Sequence, residues 1–496
     1  MDKTLEKELL QNIEKFKSIF NNDDTLIIRQ FRNQVEKRIK CCILFIEGMV
    51  NSEIINENII QPIVTNTLLG KDKKENIFDE LQQDVVVASS ITKEHDLHKL
   101  VEAIVNGDTV LLLDGYTEGL VISSKGWQTR SVSEPESEKV VRGPREGLTE
   151  SLMVNLTLIR RRLKTPDLKF QLVEIGTKTK TKVSVCYIES IANDKILAEV
   201  MKRLNDIEID GILDSGYIQE LISDSPTAPF ATVGITERPD VIAAKLLEGR
   251  IAIVVDGSPI ALTVPFVFLE YFQVNEDYYS HYIWGSINRL LRIIGGFITI
   301  SVPAVYIAVV TFHQEMIPTP LLLSISSARQ GVPFPTIVEA LGLLFVFDLL
   351  RETGVRMPTS IGQAVSIVGA LVLGQAAVEA KLISAPMVII IALTGIAGLV
   401  NHKLKQASIV VRSIFIMLAS FLGLYGYIFG LTGLLILLVG MRSFGIPYML
   451  SIGMLSAQDL KDTAIRAPWW YMDYRPKLIA TKNYVRKKIT SPRGSR

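Results

Sequence analysis

The chain has 496 residues, a formal net charge of +1 and 48% hydrophobic residues. That balance gives no reason to expect nucleic acid as a partner, because nucleic-acid-binding surfaces are strongly basic. The three cysteines and five histidines show no metal-binding or redox spacing, so the sequence predicts no cofactor. The long apolar runs are concentrated between residues 292 and 441. The composition therefore excludes a uniformly soluble protein and predicts a soluble amino-terminal half followed by a membrane domain.

The amino-terminal segment, residues 1–39, alternates charged and apolar residues at helical spacing, which predicts a pair of surface helices. Its first residues lack the apolar core of a secretory signal, so we expect the amino-terminal half to stay in the cytoplasm. A run rich in β-formers follows at residues 41–51, and a helical stretch follows at residues 56–69. This strand and helix open a first α/β domain, predicted at residues 40–127.

A second α/β domain, predicted at residues 169–275, repeats the first. The strand that ends at Asp114-Gly115 returns about 140 residues later as the strand that ends at Asp256-Gly257. Ile91-Thr92 returns in the same order as Ile235-Thr236. The soluble half is therefore predicted to contain two copies of one α/β unit. The Asp-Gly pairs have the residue type of catalytic or metal-binding acids, but their place between strands favours turns.

Residues 128–168 are predicted to be a linker followed by a helix. Arg142 and Arg145 flank a Gly-Pro turn, and two guanidinium groups on a constrained turn suit a carboxylate or a phosphate. With Glu146, they are candidates for subunit contact or coupling. The helix ends in three arginines, residues 160–162, which either complement the helix dipole or bind an anionic ligand or partner. The segment contains no P-loop.

The membrane domain is predicted at residues 293–442, after an interfacial helix at residues 276–292 whose aromatic and arginine residues mark the headgroup level. The last apolar run is too long for one helix, and Gly423 begins a glycine-containing stretch near its middle, so we predict a hairpin of two spans. Residues 335–350 are predicted to form either a re-entrant or interfacial helix, or a span whose acidic ends are buried in an assembly. The candidate spans are residues 293–312, 362–378, 383–400 and 409–440.

The helix predicted at residues 362–379 has two faces. Small residues let helices pack closely, so one face is predicted to pack against neighbours: Gln363, Ser366, Ala370, Gly374 and Ala377. The other face is predicted to line a pore, closed by apolar rings and capped by polar ones: Val365, Val368, Val372, Gln375 and Glu379. The alternative is a helix with one packed side and one lipid-facing side.

Acidic residues at membrane depth and the basic carboxyl-terminal segment complete the charge pattern. Glu339 and Asp348 are costly in a membrane and are either functional or structural. Residues 443–496 are predicted to be a cytoplasmic tail, because from residue 475 onward it carries eight Lys or Arg and no acid. An even number of crossings follows. The tail is expected either to be solvated or to contact anionic lipid.

Several separated blocks together resemble the A subunits of spore germinant receptors, the GerA family of endospore-forming bacteria. Related subunits of the SpoVAF type share the fold. Within the matched region, the resemblance makes Glu339, Arg351 and Glu352 further candidates for subunit contact or coupling. The blocks are residues 142–147, 158–163, 303–306, 312–318, 332–335, 351–352, 367–377, 443–448 and 466–469, with Asn155 and Glu339.

The resemblance implies α/β soluble domains joined to an all-α, multi-span membrane domain in the spore inner membrane. It also implies a transporter-like B subunit, which binds the nutrient, and a lipoprotein C subunit as partners. A subunits of this kind are thought to assemble as a homo-oligomeric ring that conducts cations. The sequence thus favours an oligomeric, nutrient-gated cation channel subunit. A non-conducting scaffold or signal-relay protein is the alternative, and an enzyme is not expected because no nucleophile, metal or phosphate constellation is present.

Overall fold

The computed structural model describes residues 4–34, 39–65, 77–126, 134–135, 137–356, 374–449, 462–476, 478–480 and 482–486. Two five-stranded antiparallel sheets lie in the first half of the chain, and a layer of helices follows them. We call the sheets, with the helices that cover them, the first and second units. The predicted order of α/β units followed by a helical region is confirmed.

The first unit places the strands of its sheet in the order β1-β2-β4-β5-β3. One face of the sheet is covered by α1 and α4, and the other by helical turns within residues 54–86. Cys41 and Cys42 accordingly point to opposite faces. The elements are α1 (Leu9–Ile19), β1 (Leu26–Arg32), β2 (Lys40–Ile46), α2 (Gln61–Thr65), α3 (Ile77–Glu80), β3 (Ile91–Glu94), α4 (Leu97–Val105), β4 (Thr109–Leu113) and β5 (Gly119–Ile122).

The second unit has the same strand order, β6-β7-β9-β10-β8, and the same pairings, so the predicted duplication is confirmed. Its central strand β9 is buried along its whole length, as β4 is in the first unit. Helices α5 and α8 cover one face of the sheet, and α6 and α7 cover the other. The elements are α5 (Leu152–Arg162), β6 (Leu168–Ile175), β7 (Thr181–Ile188), α6 (Asp194–Asn205), α7 (Ser215–Leu221), β8 (Gly234–Thr236), α8 (Pro239–Leu247), β9 (Ile251–Val255) and β10 (Ala261–Val264).

The repeat extends further toward the amino terminus than the sequence predicts. Residues 26–32, predicted as helix, form the edge strand β1, and α1 belongs to the core of the first unit. The prediction was wrong because the apolar residues of an exposed edge strand also fit helical spacing. Helix α5, assigned to the linker segment, is the equivalent of α1 in the second unit.

Each Asp-Gly pair joins its strand to the first helix of its own unit. The Oδ1 atom of Asp114 accepts a hydrogen bond from Leu9 N at 3.1 Å, and that of Asp256 accepts one from Leu152 N at 3.0 Å. Both following glycines have positive φ, 92° and 83°, as the predicted turns require. The acids therefore cap the first turns of α1 and α5, where free backbone N–H groups need acceptors.

The helical layer begins with α10, which runs without interruption from residue 282 to residue 312. The predicted interfacial helix at residues 276–292 is therefore not separate, since most of it is the first part of α10. Among the described residues, α10 and residues 402–440 are long and apolar enough to cross a membrane. The elements are α9 (Glu276–Tyr279), α10 (Tyr282–Phe312), α11 (Thr319–Arg329), α12 (Thr336–Arg356), α13 (Ala385–Val400), α14 (Lys405–Gly440), β11 (Arg442–Ser443) and β12 (Ile446–Pro447).

Helix α14 turns back on itself at Gly423, as predicted. Gly423 has non-helical angles, φ 61° and ψ −141°. The rings of Phe415 and Tyr427 are 5.6 Å apart, whereas twelve residues of straight helix would separate them by about 18 Å along the axis. A Cβ atom at Gly423 would lie 2.8 Å from His313, so the turn meets the end of α10. We call this the far end of the helical layer, and the end next to the second unit the near end.

The carboxyl-terminal segment packs against the second unit and is not a free tail where it is described. Ser443 donates a hydrogen bond to the backbone oxygen of Thr232 at 2.6 Å. Phe444 and Ile479 lie in the apolar core below one face of the second sheet, and Ala480 lies in the core on the other face. The chain therefore leaves the second unit before α9 and returns to it after α14.

Candidate coupling site between the second unit and the helical layer

The turn at residues 142–146 lies against the start of the helical layer. Gly143 has φ of 137°, and a Cβ atom there would lie 2.7 Å from the ring of Tyr279. The backbone oxygen of Pro144 accepts a hydrogen bond from Arg238 Nη2 at 2.9 Å. Glycine is needed at residue 143 both for its backbone angle and for this close approach. The turn therefore touches both α8 of the second unit and the segment that leads into α10.

Arg238, Asp240 and Tyr279 form a buried polar group at this contact. Arg238 binds both oxygens of Asp240, and the Tyr279 hydroxyl donates to Asp240 Oδ2 at 2.5 Å. Burial raises the pKa of Asp240, but the hydrogen bonds from Arg238 and Tyr279 outweigh it and hold that pKa below its ordinary value. Burial and the neighbouring carboxylate raise the pKa of Tyr279 to about 12. The group therefore stays ionised at Asp240 and neutral at Tyr279.

The candidate residues of the turn have different surroundings. Glu146 accepts from Arg162 at 2.6 Å and lies 3.5 Å from Arg161, so these two arginines pair within the chain. Arg145 lies 3.9 Å from Glu134. Arg142 is exposed and has no ion-pair partner in the described part of the chain. Of the three, Arg142 is the one left available for contact with another molecule.

Glu138 joins the second unit directly to the helical layer. Its Oε1 atom lies 3.0 Å from Lys403 in the loop before α14, and Oε2 accepts from Thr236 at 2.5 Å. Burial opposes ionisation of Glu138, but Lys403 and these hydrogen bonds outweigh it and lower the pKa of the carboxyl group. Sequence reasoning missed this pair, because Glu138 stands among other acids of a linker.

A second junction connects α9, α10 and the carboxyl-terminal segment. Arg289 is fully buried, and its guanidinium group contacts Asp277 at 3.4 Å and Asp462 at 2.8 Å. Tyr278 donates to Asp462 at 2.6 Å, and Arg292 also binds Asp277. The arginines and tyrosines expected at the lipid headgroup level are thus enclosed by protein here. They hold the base of α10 against the segments that come from the second unit.

The membrane-depth acids contact neighbouring helices of the same chain. Glu339 is buried, and its Oε2 atom accepts from Ser384 N at the start of α13 at 2.8 Å. Asp348 pairs with Arg412 of α14 at 2.8 Å and with Arg351 at 2.9 Å. All of these side chains lie on or beside α12, which is longer than the short helix predicted at residues 335–350.

These contacts show how α12 lies in the layer. Glu339 is near the far end, with Ser384, whereas Glu352 lies 3.8 Å from Lys405 at the near end. Of these acids, Glu339 is buried within the chain, Asp348 is partly buried and Glu352 is exposed. The two alternatives for residues 335–350 stay predictions. Of the residues predicted as candidates for subunit contact or coupling, Glu339 and Glu352 contact neighbouring helices of the layer, whereas Arg351 pairs with Asp348 on its own helix.

The predicted pore helix falls largely outside the described residues. Val365, Val368, Val372, Gln363, Ser366 and Ala370 all lie there, so their roles stay predictions. Residues 374–379 are helical; Gly374 and Ala377 are half-buried, whereas Gln375 and Glu379 are exposed. Gln375 Nε2 donates to Glu379 Oε1 at 3.0 Å. The exposed amide and carboxylate are thus available to solvent or to a neighbouring molecule near the far end.

The fold defines the class of protein: two α/β units with the same strand order, followed by a layer of helices that includes two segments long and apolar enough to cross a membrane. The family model for the Bacillus/Clostridium GerA spore germination protein matches residues 14–478. The chain belongs to the GerA family of spore germination proteins, which confirms the resemblance found in the sequence.

Individual relatives match along almost the whole chain. Spore germination protein KA of Bacillus subtilis (strain 168) is 40% identical over 481 residues, 97% of this chain and 88% of that protein. Uncharacterized membrane protein YfkQ of the same organism is 42% identical over 484 residues, 97% and 93% of the two chains. Spore germination protein GerLA of Bacillus cereus is 36% identical over 481 residues, 97% of each chain.

One solved structure matches the first half of the chain. The crystal structure of the N-terminal domain of the A subunit of the Bacillus megaterium spore germinant receptor GerK3 is 33% identical, with a TM-score of 0.40. The match covers 54% of this chain and 98% of that domain.

Proposed function

We propose that this chain is the A subunit of a spore germinant receptor and works as an oligomeric, nutrient-gated cation channel. Membership of the GerA family supports the receptor role. The observation that carries the channel is the exposed pair Gln375–Glu379, which stands at one end of the helical layer without cover from the described part of the chain. In a ring of subunits, such a pair repeats around an axis and forms a polar, acidic mouth that favours cations.

The coupling site supplies a route from the soluble units to the pore. Glu138 holds the loop before α14, and Asp277 holds the base of α10 through Arg289. A change in the position of the second unit would therefore act on two helices at once. We infer that nutrient sensing by a partner subunit reaches the membrane layer through these contacts.

The assembly follows from the same proposal. The chain spans the spore inner membrane several times, an even number, with both terminal regions on the cytoplasmic side. Its partners are a transporter-like B subunit, a lipoprotein C subunit, further copies of itself and membrane lipid. The exposed apolar side chains on α14 support contacts with lipid or with such neighbours, since large apolar areas are rarely left in water: Ile414, Met417, Phe421, Tyr425 and Phe429.

A non-conducting relay subunit is the second candidate. The buried network around Arg289 favours it, because rigid attachment of a soluble unit to a membrane helix serves signal relay equally well. The relay proposal requires no ion-conducting pore through the assembly. Only the channel proposal therefore predicts ion flux.

Flux measurements on the purified protein with its partners in liposomes test the channel. Val368→Ala is expected to increase cation flux by widening an apolar constriction, and Glu379→Gln is expected to weaken cation selectivity. Matched controls are Val410→Ala, which changes an exposed valine of α14, and Glu315→Gln, which removes another exposed acid near the far end. If the assembled protein passes no ions in the presence of germinant, in the wild type or in any variant, the channel proposal fails and the relay role remains.

A further inference from the structure

A cavity of about 540 Å³ lies at the coupling site, beside the contacts already described. Its walls come from α8, from residues 270–279, from the loop before α14 and from the carboxyl-terminal segment. The carboxyl-terminal wall contributes Trp469, Arg475 and Arg486. The cavity therefore lies where the second unit, the helical layer and the end of the chain meet.

The charges around the cavity are mostly positive. Six basic side chains face three acidic ones, and Asp240 behind Arg238 adds a fourth acid. Most acids are already engaged, because Glu270 binds Lys245 at 2.5 Å and Glu138 binds Lys403. The basic side chains are Lys139, Arg238, Lys245, Lys403, Arg475 and Arg486. After these pairings, exposed Lys139 and the arginines of the carboxyl-terminal wall carry the excess positive charge.

Arg475 is the clearest case of a cation without an acid. It is 8% exposed, and its guanidinium group donates to backbone oxygens of Leu247 and Val485, both at 2.6 Å. It also donates to the backbone and side-chain oxygens of Asn483, at 3.2 and 3.3 Å. No carboxylate within the described ranges lies at ion-pair distance from it. Burial and the neighbouring Arg486 lower the pKa of Arg475. A buried charge next to a like charge is unfavourable unless an anion neutralises it.

Arg486 adds a second guanidinium group at the same wall. It reaches Glu248 at 3.5 Å, and Glu248 is shared with Arg250 at 3.4 Å. Glu248 is therefore shared by two arginines, of which Arg250 also binds Glu270 at 2.7 Å, whereas Arg475 has no carboxylate among the described residues. A phosphate monoester offers three non-bridging acceptor oxygens, and a phosphodiester offers two together with two ester oxygens, so either can accept hydrogen bonds from two guanidinium groups.

The rest of the cavity suits an organic group attached to that anion. Much of the wall is apolar, with contributions from Val140, Val241, Leu247 and Phe266. A separate apolar cavity of about 350 Å³ lies on the side of the helical layer, next to residues 268–272 and the loop before α14. Its lining includes Phe268, Leu269 and Leu404. Exposed Trp469 and Trp470 stand nearby, as expected at a membrane surface.

We propose that this cavity binds a phosphate-bearing ligand whose anionic group lies against Arg475 and Arg486. The phosphate comes either from the headgroup of an anionic phospholipid or from a soluble phosphate ester. In both cases the ligand contacts α8, the loop before α14 and the chain terminus together, and so stabilises the attachment of the second unit to the helical layer. This proposal does not rest on ion conduction.

Thermal unfolding of the purified full chain tests the proposal. The probes are glycerol 3-phosphate added in neutral detergent, and bilayer nanodiscs with phosphatidylglycerol in place of phosphatidylcholine, each against sodium chloride at equal ionic strength. We expect at least one probe to raise the unfolding temperature of the wild type and of Lys482→Gln, whose lysine pairs with Asp194 outside the cavity. Arg475→Gln is expected to weaken the apparent affinity about tenfold or more.

The outcomes distinguish the two sources of phosphate from each other and from failure of the proposal. Stabilisation by glycerol phosphate in detergent identifies a soluble ester, and stabilisation by phosphatidylglycerol alone identifies a lipid headgroup. Arg475→Lys keeps the positive charge but loses the planar guanidinium group, so it should give an intermediate affinity. If Arg475→Gln does not fold, Arg486→Gln is measured in its place. The proposal is overturned if no probe acts beyond the chloride control, or if the glutamine variant keeps the full response.

Discussion

Arg160 of the second unit and Asp23 of the first form a fully buried ion pair, with Nη2 and Oδ2 2.6 Å apart. The guanidinium group also lies over the ring of Phe170, 4.5 Å from its centroid. Lys169 adds a hydrogen bond to the backbone oxygen of Ile19 at 2.8 Å. The two units are therefore held together by charges removed from water, which makes their contact specific in geometry.

Replacing Arg160 should destabilise the soluble half strongly. Arg160→Leu leaves Asp23 buried and unpaired, so we expect a loss of about 3–5 kcal/mol in the free energy of unfolding. Chemical unfolding of the purified protein measures it. The matched control is Arg161→Leu on the same helix, where the arginine is partly exposed and pairs with Glu146. Similar losses in the two variants would contradict the role of the buried pair.

Removing either helix cap should affect only the helix that it caps. Asp256→Ala removes the acceptor for Leu152 N and is expected to cost about 1 kcal/mol, as other cap losses do. Hydrogen exchange should then speed up in the first turn of α5 and stay unchanged in α1. Asp114→Ala should give the reverse pattern, and Asp256→Asn, which keeps an acceptor oxygen, should exchange nearly as the wild type. Equal exchange in all variants would show that the caps carry little energy.

The Asp348 pair predicts an asymmetry within the helical layer. Asp348→Asn leaves both Arg412 and Arg351 without a carboxylate, whereas Arg412→Gln leaves Asp348 still paired with Arg351. We expect the first change to cost about 3 kcal/mol and the second clearly less. The thermal unfolding midpoint in detergent reports the order, with exposed Arg442→Gln as control. A larger effect from Arg412→Gln would contradict this arrangement.

The Glu138–Lys403 contact should depend on pH. The folded-state pKa of Glu138 lies below the ordinary value of 4.5, so its ionised form stabilises the fold above pH 4.5. This contribution is lost as the pH falls through the folded-state pKa. The difference in stability between the wild type and Glu138→Gln should therefore be full near neutral pH and shrink in acid.

Lys403→Gln provides the check on that interpretation. It removes the partner while leaving the hydrogen bond from Thr236 to Glu138 in place. Its stability should fall by a similar amount at neutral pH, and the double variant should lose less than the sum of the two. A pH-independent difference between the wild type and Glu138→Gln would count against an ion pair at this position.

Sequence patterns predicted the duplication and the α14 hairpin because both leave direct signals. Repeated Asp-Gly pairs follow buried strands, and a run too long for one span contains glycine at its middle. Long-range ion pairs leave weaker signals. Arg160 lies four residues after Leu156, on the apolar face of its helix, and that spacing could have shown that it points inward. Its partner Asp23 could not be identified, because nothing in the sequence links two residues so far apart.

The junction at Arg289 was also hidden from sequence reasoning. Tyrosines and arginines before an apolar run are typical of the membrane surface, and that pattern does not distinguish lipid from protein as the neighbour. The deciding partner, Asp462, lies well over a hundred residues away in the sequence, after α14. Burial at this position depends on the return of the chain to the second unit.

Because the chain returns to the second unit after α14, the order of synthesis affects how that unit folds. Phe444 and Ile479 belong to the core of the second unit, yet a ribosome makes them after every described helix of the helical layer from α10 to α14. The second unit therefore keeps an unfilled apolar surface until α14 and the segment after it have been synthesised. A chain that stalls before residue 442 would expose that surface to chaperones and proteases. Completion of the core of the second unit thus reports that the helical layer has been synthesised.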